Sequence, residues 1–230
     1  MAHGYAFPPV HGFAPFYTLQ PNPKTAVVQI EMWAQIVLGY CEANQRYTLH
    51  ATGSWELQSP LFCNRVLDRA VSPAMMRIIF AYLVDHAQAL YEPAAPKHAK
   101  PPRVGTVEAD RFTHAESATA ARSGPSDAPF SSILVLWKSP EAWGDGMYAW
   151  ICNTGQNGSV LTMTELVHGE YVHASHMPLS LCRLALQTQV RKGRAQVFGA
   201  QTARIAAYAG NDLLANAGEE ALWDLGVKFV

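Results

Sequence analysis

The most regular hydrophobic pattern in the chain follows Asn22 and Pro23. Five apolar residues recur there at alternating spacings of four and three: Ala26, Ile30, Trp33, Val37 and Tyr40. Such spacing places them on one face of an α-helix. Asparagine caps free N–H groups at a helix start, and proline fits the first turn. The pattern therefore predicts a helix with one buried stripe.

Ser72 and Pro73 begin a second helix of the same kind. Its predicted inner face is Met76, Ile79, Phe80, Leu83 and Ala87. The stretch between the two helices is ambiguous, since residues 48–52 fit a short strand and residues 59–67 a short helix. Residues 89–91 and 130–137 are predicted to be strands. Three helices and a closing hairpin are the elements of a winged helix.

The second half of the chain repeats this plan. Ser139 and Pro140 fit a helix start, and a helix is predicted over 140–153. Its apolar face is Trp143, Met147, Trp150 and Ile151. The remaining predicted elements are helices at 162–168 and 178–192, the second ending before Gly193, and strands at 196–198 and 226–229. Together they predict a second winged helix.

These elements predict an α+β, mainly helical protein of two tandem winged-helix domains with an extended N-terminal arm. The predicted parts are the arm at 1–21, a first winged helix at 22–137 and a second at 138–230. Each wing carries an insertion, at 93–128 and at 200–224. The first insertion has five prolines and nine alanines, so we expect most of it to be disordered because it can bury little apolar surface. The second is rich in alanine and is expected to be partly helical.

The N-terminal arm has an unusual composition. Residues 5–21, YAFPPVHGFAPFYTLQP, are rich in prolines and aromatic residues and follow neither a helical nor a strand period. Such a segment is stiff and extended. It can pack on its own domain or dock in a groove of a partner.

Composition and charge narrow the classes of function. The net charge is −1, so no overall field attracts nucleic acid or anionic lipid. The N-terminus lacks the cationic and apolar regions of a signal peptide, and the longest apolar run, 78–84, is too short to span a membrane. The four cysteines lie in apolar segments without paired spacing: Cys41, Cys63, Cys152 and Cys182. They indicate reduced thiols in a cytosolic protein.

Candidate chemistry is sparse. The sequence contains no glycine-rich phosphate loop and no nucleophile elbow. A histidine cluster with a nearby cysteine invites a zinc hypothesis: His168, His173, His176 and Cys182. Its spacing fits no standard zinc motif, so polar loop histidines are the favoured interpretation. Glu141, Glu165 and Glu170 are isolated carboxylates that suit helix starts or solvent better than acid–base catalysis. We therefore expect no enzyme, metal or cofactor.

Nucleic-acid binding is the main alternative, because winged helices often bind DNA. The third helix of the first domain offers only Arg77, with Asp85 near it. The second domain has a basic cluster at Arg191, Lys192 and Arg194. These cations also stabilise the negative end of a helix dipole. Because phosphate contacts dominate DNA affinity, this small number of cations favours a protein that does not bind nucleic acid.

Several segments resemble one known family. They are FPPVHGFAPFYTLQPN (7–22), Trp33, SPLFCN (59–64), WKSPEAWGDGMYAW (137–150), TGQNGSVLTMTEL (154–166) and GVKFV (226–230). They span both ends and the centre of the chain. On these residues the chain resembles the family of vacuolar protein sorting-associated protein 25, a subunit of the endosomal sorting complex required for transport II (ESCRT-II). The resemblance implies two winged helices in tandem.

The chain also departs from the family's pattern. His11 stands where the proline–aromatic motif of the family has an aromatic residue, and Ala14 stands where it has a proline. The segment EYVHASHMP, 170–178, replaces the family's loop before the last helix, and the final aromatic residue is replaced by Val230. Both wing insertions lie outside the pattern.

The resemblance implies a non-enzymatic scaffold. In this family two copies join the other two subunits of the complex, vacuolar sorting subunits 22 and 36, through the arm and the first winged helix. The second winged helix recruits an ESCRT-III subunit of the subunit 20 type. The complex acts on ubiquitinated membrane cargo that enters multivesicular bodies. A cytoplasmic protein recruited peripherally to endosomal membranes is therefore expected.

The resemblance also implies individual roles for residues. The implied docking residues are Phe7, Pro8, Pro9, Val10, Pro15, Phe16, Tyr17, Leu19 and Pro21. The residues expected to pack in the core are Trp33, Trp137, Trp143, Tyr148 and Trp150. On this division, replacing Phe16 and Tyr17 should leave thermal stability nearly unchanged, whereas replacing Trp143 should unfold the protein.

Overall fold

The structure is a computed structural model that describes residues 5–94, 100–104, 130–170, 176–199, 214, 223 and 225–230. The chain divides into two compact units, Met1–Trp137 and Lys138–Val230. Among the described residues, each unit has three α-helices and a three-stranded antiparallel sheet. This order of elements is that of a winged helix.

The helices of the first unit begin at the expected caps. They are α1 (Pro23–Ala43), α2 (Ser54–Gln58) and α3 (Pro73–Asp85). The side chain of Asn22 accepts hydrogen bonds from the N–H groups of Lys24 and Thr25, and Ser72 accepts one from Met75. The predicted stripe of α1 is buried along its whole length. The prediction for α3 is confirmed except at Ala87, which is exposed and lies beyond the helix end with a φ of 56°.

The strands of the first unit form two small sheets. They are β1 (Thr48–His50), β2 (Cys63–Asn64), β3 (Arg69–Ala70), β4 (Ala89–Tyr91) and β5 (Ser132–Val135). The main sheet has the order β1-β5-β4, and β2 pairs with β3 as a hairpin. The helix considered for 59–67 is therefore wrong. The helix of this region is α2, five residues earlier, and SPLFCN leads into a hairpin whose turn Asn64 closes by accepting hydrogen bonds from the N–H groups of Val66 and Leu67.

The core of the first unit lies between its helices and main sheet. Trp33, Phe62 and Phe80 are fully buried there, with Leu49 and Ile133 from the sheet. Burying a side chain of this size contributes about 1.5–3 kcal/mol. The first insertion separates β4 from β5 in the sequence. The core nevertheless unites both strands with the helices in one domain.

The second unit has the same plan. Its elements are α4 (Pro140–Asn153), β6 (Val160–Thr162), α5 (Met163–His168), α6 (Leu179–Arg191), β7 (Ala195–Phe198) and β8 (Gly226–Phe229). The sheet order is β6-β8-β7. The predicted helices and the β7–β8 wing are confirmed, and Thr162 with Glu165 forms a capping box. The strand β6 was not predicted, because its three residues are too few to show alternation.

The tryptophans differ in their burial. Trp33 and Trp143 are buried, whereas Trp137, Trp150 and Tyr148 are half-buried. The ring of Trp137 packs against that of Tyr47, with centroids 4.4 Å apart. Core packing is thus confirmed for Trp33 and Trp143, and the other three lie at the edges of their domains.

Most of both predicted wing insertions lies outside the described residues. In the first, residues 100–104 contact the first domain. The guanidinium of Arg103 lies 3.0 Å from the carboxylate of Asp85, and Val104 packs against the core. In the second, Leu214 is fully buried and the ring of Trp223 stacks on His168 at 6.0 Å.

Candidate partner-docking surface

The N-terminal arm is folded onto the first domain. It forms two short 3-10 helices, Pro9–Gly12 and Ala14–Tyr17. Phe16 is only 4% exposed and Tyr17 only 3%. Because both side chains are buried in their own domain, we no longer expect their replacement to leave thermal stability nearly unchanged. The ring of Phe16 stacks on Trp33 at 4.5 Å, which makes it part of the core.

Polar groups of α1 fasten the arm. The buried amide of Gln29 donates hydrogen bonds to the carbonyl groups of Phe16 (2.8 Å) and Thr18 (2.9 Å) and accepts one from the N–H of Gln20 (3.1 Å). The indole N–H of Trp33 also donates to the carbonyl of Phe16 (3.0 Å). Because buried amides require partners, these bonds set the path of the arm. Gln29 follows Ala26 by three residues and precedes Trp33 by four. This helical spacing places Gln29 on the buried face of α1 and is the sequence signal that it faces inward.

His11 is buried in the arm among aromatic side chains. It is 6% exposed, and its ring stacks on Phe7 with centroids 4.0 Å apart. Its Nε2–H donates to the carbonyl of Leu61 (3.3 Å). Burial lowers the pKa of His11, and the backbone hydrogen bonds to Leu61 and Pro60 partly oppose this effect. A neutral imidazole therefore serves as an aromatic core residue.

The β2–β3 hairpin joins the arm to form one surface. Two side chains donate to the carbonyl of His11: the amide of Asn64 (3.1 Å) and the hydroxyl of Tyr17 (2.9 Å). Burial raises the pKa of Tyr17 to about 12. The part-buried bond from Asn64 thus joins the hairpin to the arm, and the buried bond from Tyr17 fixes the fold of the arm itself.

Only part of the implied docking set is available to a partner. Pro9, Pro15 and Pro21 are exposed. The half-buried members are Phe7, Pro8, Val10 and Leu19. Phe13, which is not in the implied docking set, is 59% exposed and is the largest exposed apolar side chain of the described arm. Phe13 lies between the two 3-10 helices, and the segment HGFAPFY carries no periodicity that would have indicated its exposure.

An open groove of about 540 Å³ lies between the arm and the hairpin. Its lining residues are Phe7, His11, Gln58, Pro60, Cys63, Asn64 and Arg65. The walls combine aromatic and proline side chains with a thiol and one guanidinium. Beyond the groove, Val66 at the hairpin turn is 95% exposed.

Comparison with known proteins identifies the family. A family model described as "ESCRT-II complex subunit" matches residues 10–178, which is most of the chain. The chain belongs to this family. A vacuolar protein-sorting-associated protein 25 of Bos taurus is 31% identical over 170 residues, 74% of this chain and 76% of the relative. That of Drosophila melanogaster is 26% identical over 199 residues, 84% of this chain and 92% of the relative.

Solved structures show the same fold. A crystal structure of subunit VPS25 of the endosomal trafficking complex ESCRT-II matches with a TM-score of 0.63 and 22% identity, covering 98% of this chain and 99% of that chain. A chain in a structure of the ESCRT-II endosomal trafficking complex matches with a TM-score of 0.59 and 24% identity, covering 85% and 96%. These likenesses confirm the predicted α+β winged-helix fold.

In the second domain of this ESCRT-II subunit, Lys192 and Arg194 make internal contacts. Asp145 Oδ1 accepts from Lys192 Nζ (2.7 Å), Arg194 Nη1 (3.1 Å) and Gln189 Nε2 (3.3 Å). The hydrogen bond from Lys192, then that from Gln189, lowers the pKa of Asp145. The guanidinium of Arg194 also lies 5.1 Å from the ring centre of Tyr148. Two of the three cations that were considered as DNA-binding residues, Lys192 and Arg194, therefore connect α4 to the end of α6.

The described part of this ESCRT-II subunit contains no cluster of three or more metal-ligating side chains. Of the histidines considered for zinc, His173 lies outside the described residues, whereas His168 stacks on Trp223. Among the same described residues, no helix has the length and hydropathy needed to cross a bilayer.

Proposed function

We propose that this chain is a non-enzymatic scaffold subunit of ESCRT-II that acts in the multivesicular-body sorting of ubiquitinated membrane cargo. It joins two other subunits, of the kinds named VPS22 and VPS36 in a solved complex that contains a similar chain. The contact is made by the N-terminal arm and the first winged helix. Family membership and the exposed apolar groups of the arm support this proposal.

The observation that carries the proposal is the exposure of Phe13 on a rigid arm. Its ring is 59% exposed, while residues on both sides of it are bonded to the domain. Aromatic anchors often dominate the energy of an interface. A preformed arm also loses little conformational entropy when a partner binds. Phe13 therefore replaces Phe16 and Tyr17 as the proposed aromatic anchor, with Pro9 and Pro15 beside it in sequence.

The second winged helix is proposed to recruit an ESCRT-III subunit of the subunit 20 type. Two copies of the chain join each complex, and the complex associates peripherally with endosomal membranes from the cytoplasm. The proposal for the second domain rests on the family alone. Its distinctive exposed apolar residue, Val160, is 61% exposed on the edge strand β6.

Coexpression with the organism's own homologues of subunits 22 and 36 tests the proposal. The wild-type chain should copurify with both subunits, and Phe13→Ala should weaken copurification at least tenfold without changing the melting temperature. Val160→Ala, which removes an equally exposed apolar group from the other domain, is the matched control and should assemble normally. Normal assembly of the Phe13→Ala variant would show that the Phe13 ring is not an anchor.

The nucleic-acid alternative is not favoured. It requires free cations on the third helix of a domain, because each phosphate contact uses one. Lys192 and Arg194 instead bond to Asp145. The near-zero net charge gives no overall attraction either.

A further inference from the structure

The third helix of the first domain, α3, is buried even on a side that lies outside its inner face. Arg77, Ala81 and Asp85 follow one another at intervals of four, so they form one line along the helix. We call this line the outer side of α3. Ala81 is nevertheless only 1% exposed, and Nε of Arg77 is buried without a hydrogen-bond partner among the described residues. In helix-turn-helix proteins the corresponding helix presents an open side to its ligand, whereas here that side is closed.

Residues 100–104, with the sequence KPPRV, lie at one end of this line. Arg103 Nη2 lies 3.2 Å from Oδ1 and 3.0 Å from Oδ2 of Asp85, the last residue of α3. Val104 packs against the core of the domain. The two prolines of the segment are half-buried, and consecutive prolines favour a stiff, extended conformation. The segment therefore lies against the domain as an extended strap.

The strap also lies close to Tyr91 of β4. The hydroxyl of Tyr91 is buried and has no hydrogen-bond partner among the described residues, and its ring packs edge-on against Phe130 at 5.1 Å. Burial, and then the carboxylate of Asp85, raises the pKa of Tyr91 to about 12, while the guanidinium of Arg103 opposes this effect. The end of α3, the strand β4 and the strap thus meet at the Arg103–Asp85 pair.

The charged contact that holds the strap is open to water. The side chains of Arg103 and Asp85 are 62% and 41% exposed, and an exposed ion pair contributes about 1 kcal/mol or less. Val104 adds one half-buried apolar side chain. A strap held by so few groups can be released without unfolding the core.

We propose that residues 100–104 act as an autoinhibitory strap, which closes the outer side of α3 to other proteins and exposes it when the Arg103–Asp85 pair breaks. With the strap closed, the first domain offers a partner its N-terminal arm but not its third helix. Release of the strap uncovers Ala81 and Tyr91 and so adds a second, partly apolar surface to the domain. The strap acts within one chain and does not depend on assembly with other subunits.

Trypsin cleavage of the Arg103–Val104 bond in the purified chain tests the strap. Asp85→Lys should accelerate this cleavage at least fivefold, because repulsion replaces the ion pair and a protease cuts a segment only while it is open. The variant should fold, since a cation is favourable at the C-terminal end of a helix. Glu42→Lys is the matched control: it makes the same charge change at an exposed residue in the last turn of α1 and should alter the cleavage rate less than twofold.

Nitration of Tyr91 by tetranitromethane provides an independent readout. The reagent attacks the ionised phenol, so a buried hydroxyl with a pKa of about 12 reacts slowly. Val104→Ser should increase the rate at least threefold, because it loosens the strap and leaves both charges in place. Val66→Ser is the matched control, because it changes a valine that is 95% exposed, and it should leave the rate unchanged.

Three results would overturn the strap. The first is unchanged cleavage in Asp85→Lys or unchanged nitration in Val104→Ser, and the second is an equal acceleration in the matched control. The third is a fall in melting temperature of more than about 4 °C with cleavage throughout the domain, because residues 100–104 would then support the whole fold. All three leave the proposed function intact, since copurification with the two subunits tests that separately.

Discussion

At the scale of single residues, Phe13 and Phe16 have opposite environments, although the docking set implied by the sequence contained only Phe16. The two rings lie three positions apart in the same proline-rich segment, yet one is exposed and the other is stacked on Trp33. A segment without period gives no sequence signal for which ring faces inward. The burial of Phe16 depends on hydrogen bonds from Gln29 and Trp33, which only the folded domain brings to it.

The two rings should therefore respond differently to truncation. Phe16→Ala should lower the free energy of unfolding by about 3–5 kcal/mol, because it leaves a cavity beside Trp33. Phe13→Ala should change that free energy by less than about 0.5 kcal/mol, as is usual for exposed positions. Urea unfolding followed by tryptophan fluorescence measures both. Equal stability of the two variants would show that the arm does not pack on the domain.

His11 should make the stability of the first domain depend on pH. Burial lowers its pKa below the ordinary value of 6.5, so the unfolded chain takes up a proton at a higher pH than the folded chain. The contribution of the neutral ring is complete above pH 6.5 and decreases as the pH falls towards the folded pKa. The melting temperature should therefore fall between about pH 7.5 and about pH 5.

The variant His11→Phe isolates this contribution. It keeps an aromatic ring against Phe7 and Tyr17 but cannot take up a proton. Its melting temperature should fall less than that of the wild type over the same pH range. An identical fall in both proteins would assign the pH dependence to other groups.

At the scale of elements, helices that combine a cap with an apolar stripe could be predicted from the sequence. Asn22, Ser72 and Ser139 all cap where expected, and Thr162 caps the helix predicted to start there. The elements that could not be predicted from the sequence are very short: the β2–β3 hairpin has two residues in each strand, and β6 has three. Such strands are set by their partners across the sheet and show no pattern of their own. The groove was missed for the same reason, since the hairpin forms one of its sides.

The close approach of α4 and α6 depends on Gly144. A Cβ atom at this position would lie 2.7 Å from the carbonyl oxygen of Ala185 in α6. A backbone carbonyl cannot move aside as a flexible side chain can. The two helices would therefore have to separate. Gly144→Ala should lower the free energy of unfolding by about 1–3 kcal/mol.

Gly12→Ala is a suitable control, because a Cβ there has no neighbour within 4 Å. Its melting temperature should stay close to that of the wild type, whereas that of Gly144→Ala should fall. Circular dichroism during heating distinguishes the two variants. Unchanged stability of Gly144→Ala would show that the crossing of α4 and α6 tolerates a wider spacing.

At the scale of the whole molecule, two winged helices of one chain show different surfaces. The first presents an arm with exposed prolines and Phe13, together with a groove that Arg65 helps to line. The second uses Lys192 and Arg194 to connect its own helices. The tandem fold could be predicted from the repeated order of capped helices and strands. The distribution of free and engaged charges could not, because Asp145 lies 47 residues before Lys192 in the sequence.

The central claim is that this chain assembles into ESCRT-II, and native mass spectrometry tests it most directly. The chain is coexpressed with the organism's homologues of subunits 22 and 36, and the purified complex is weighed intact. The proposed function predicts a mass equal to one copy of each homologue plus two copies of this 25.2 kDa chain. Recovery of a complex of the two homologues alone, with this chain free in solution, would contradict it.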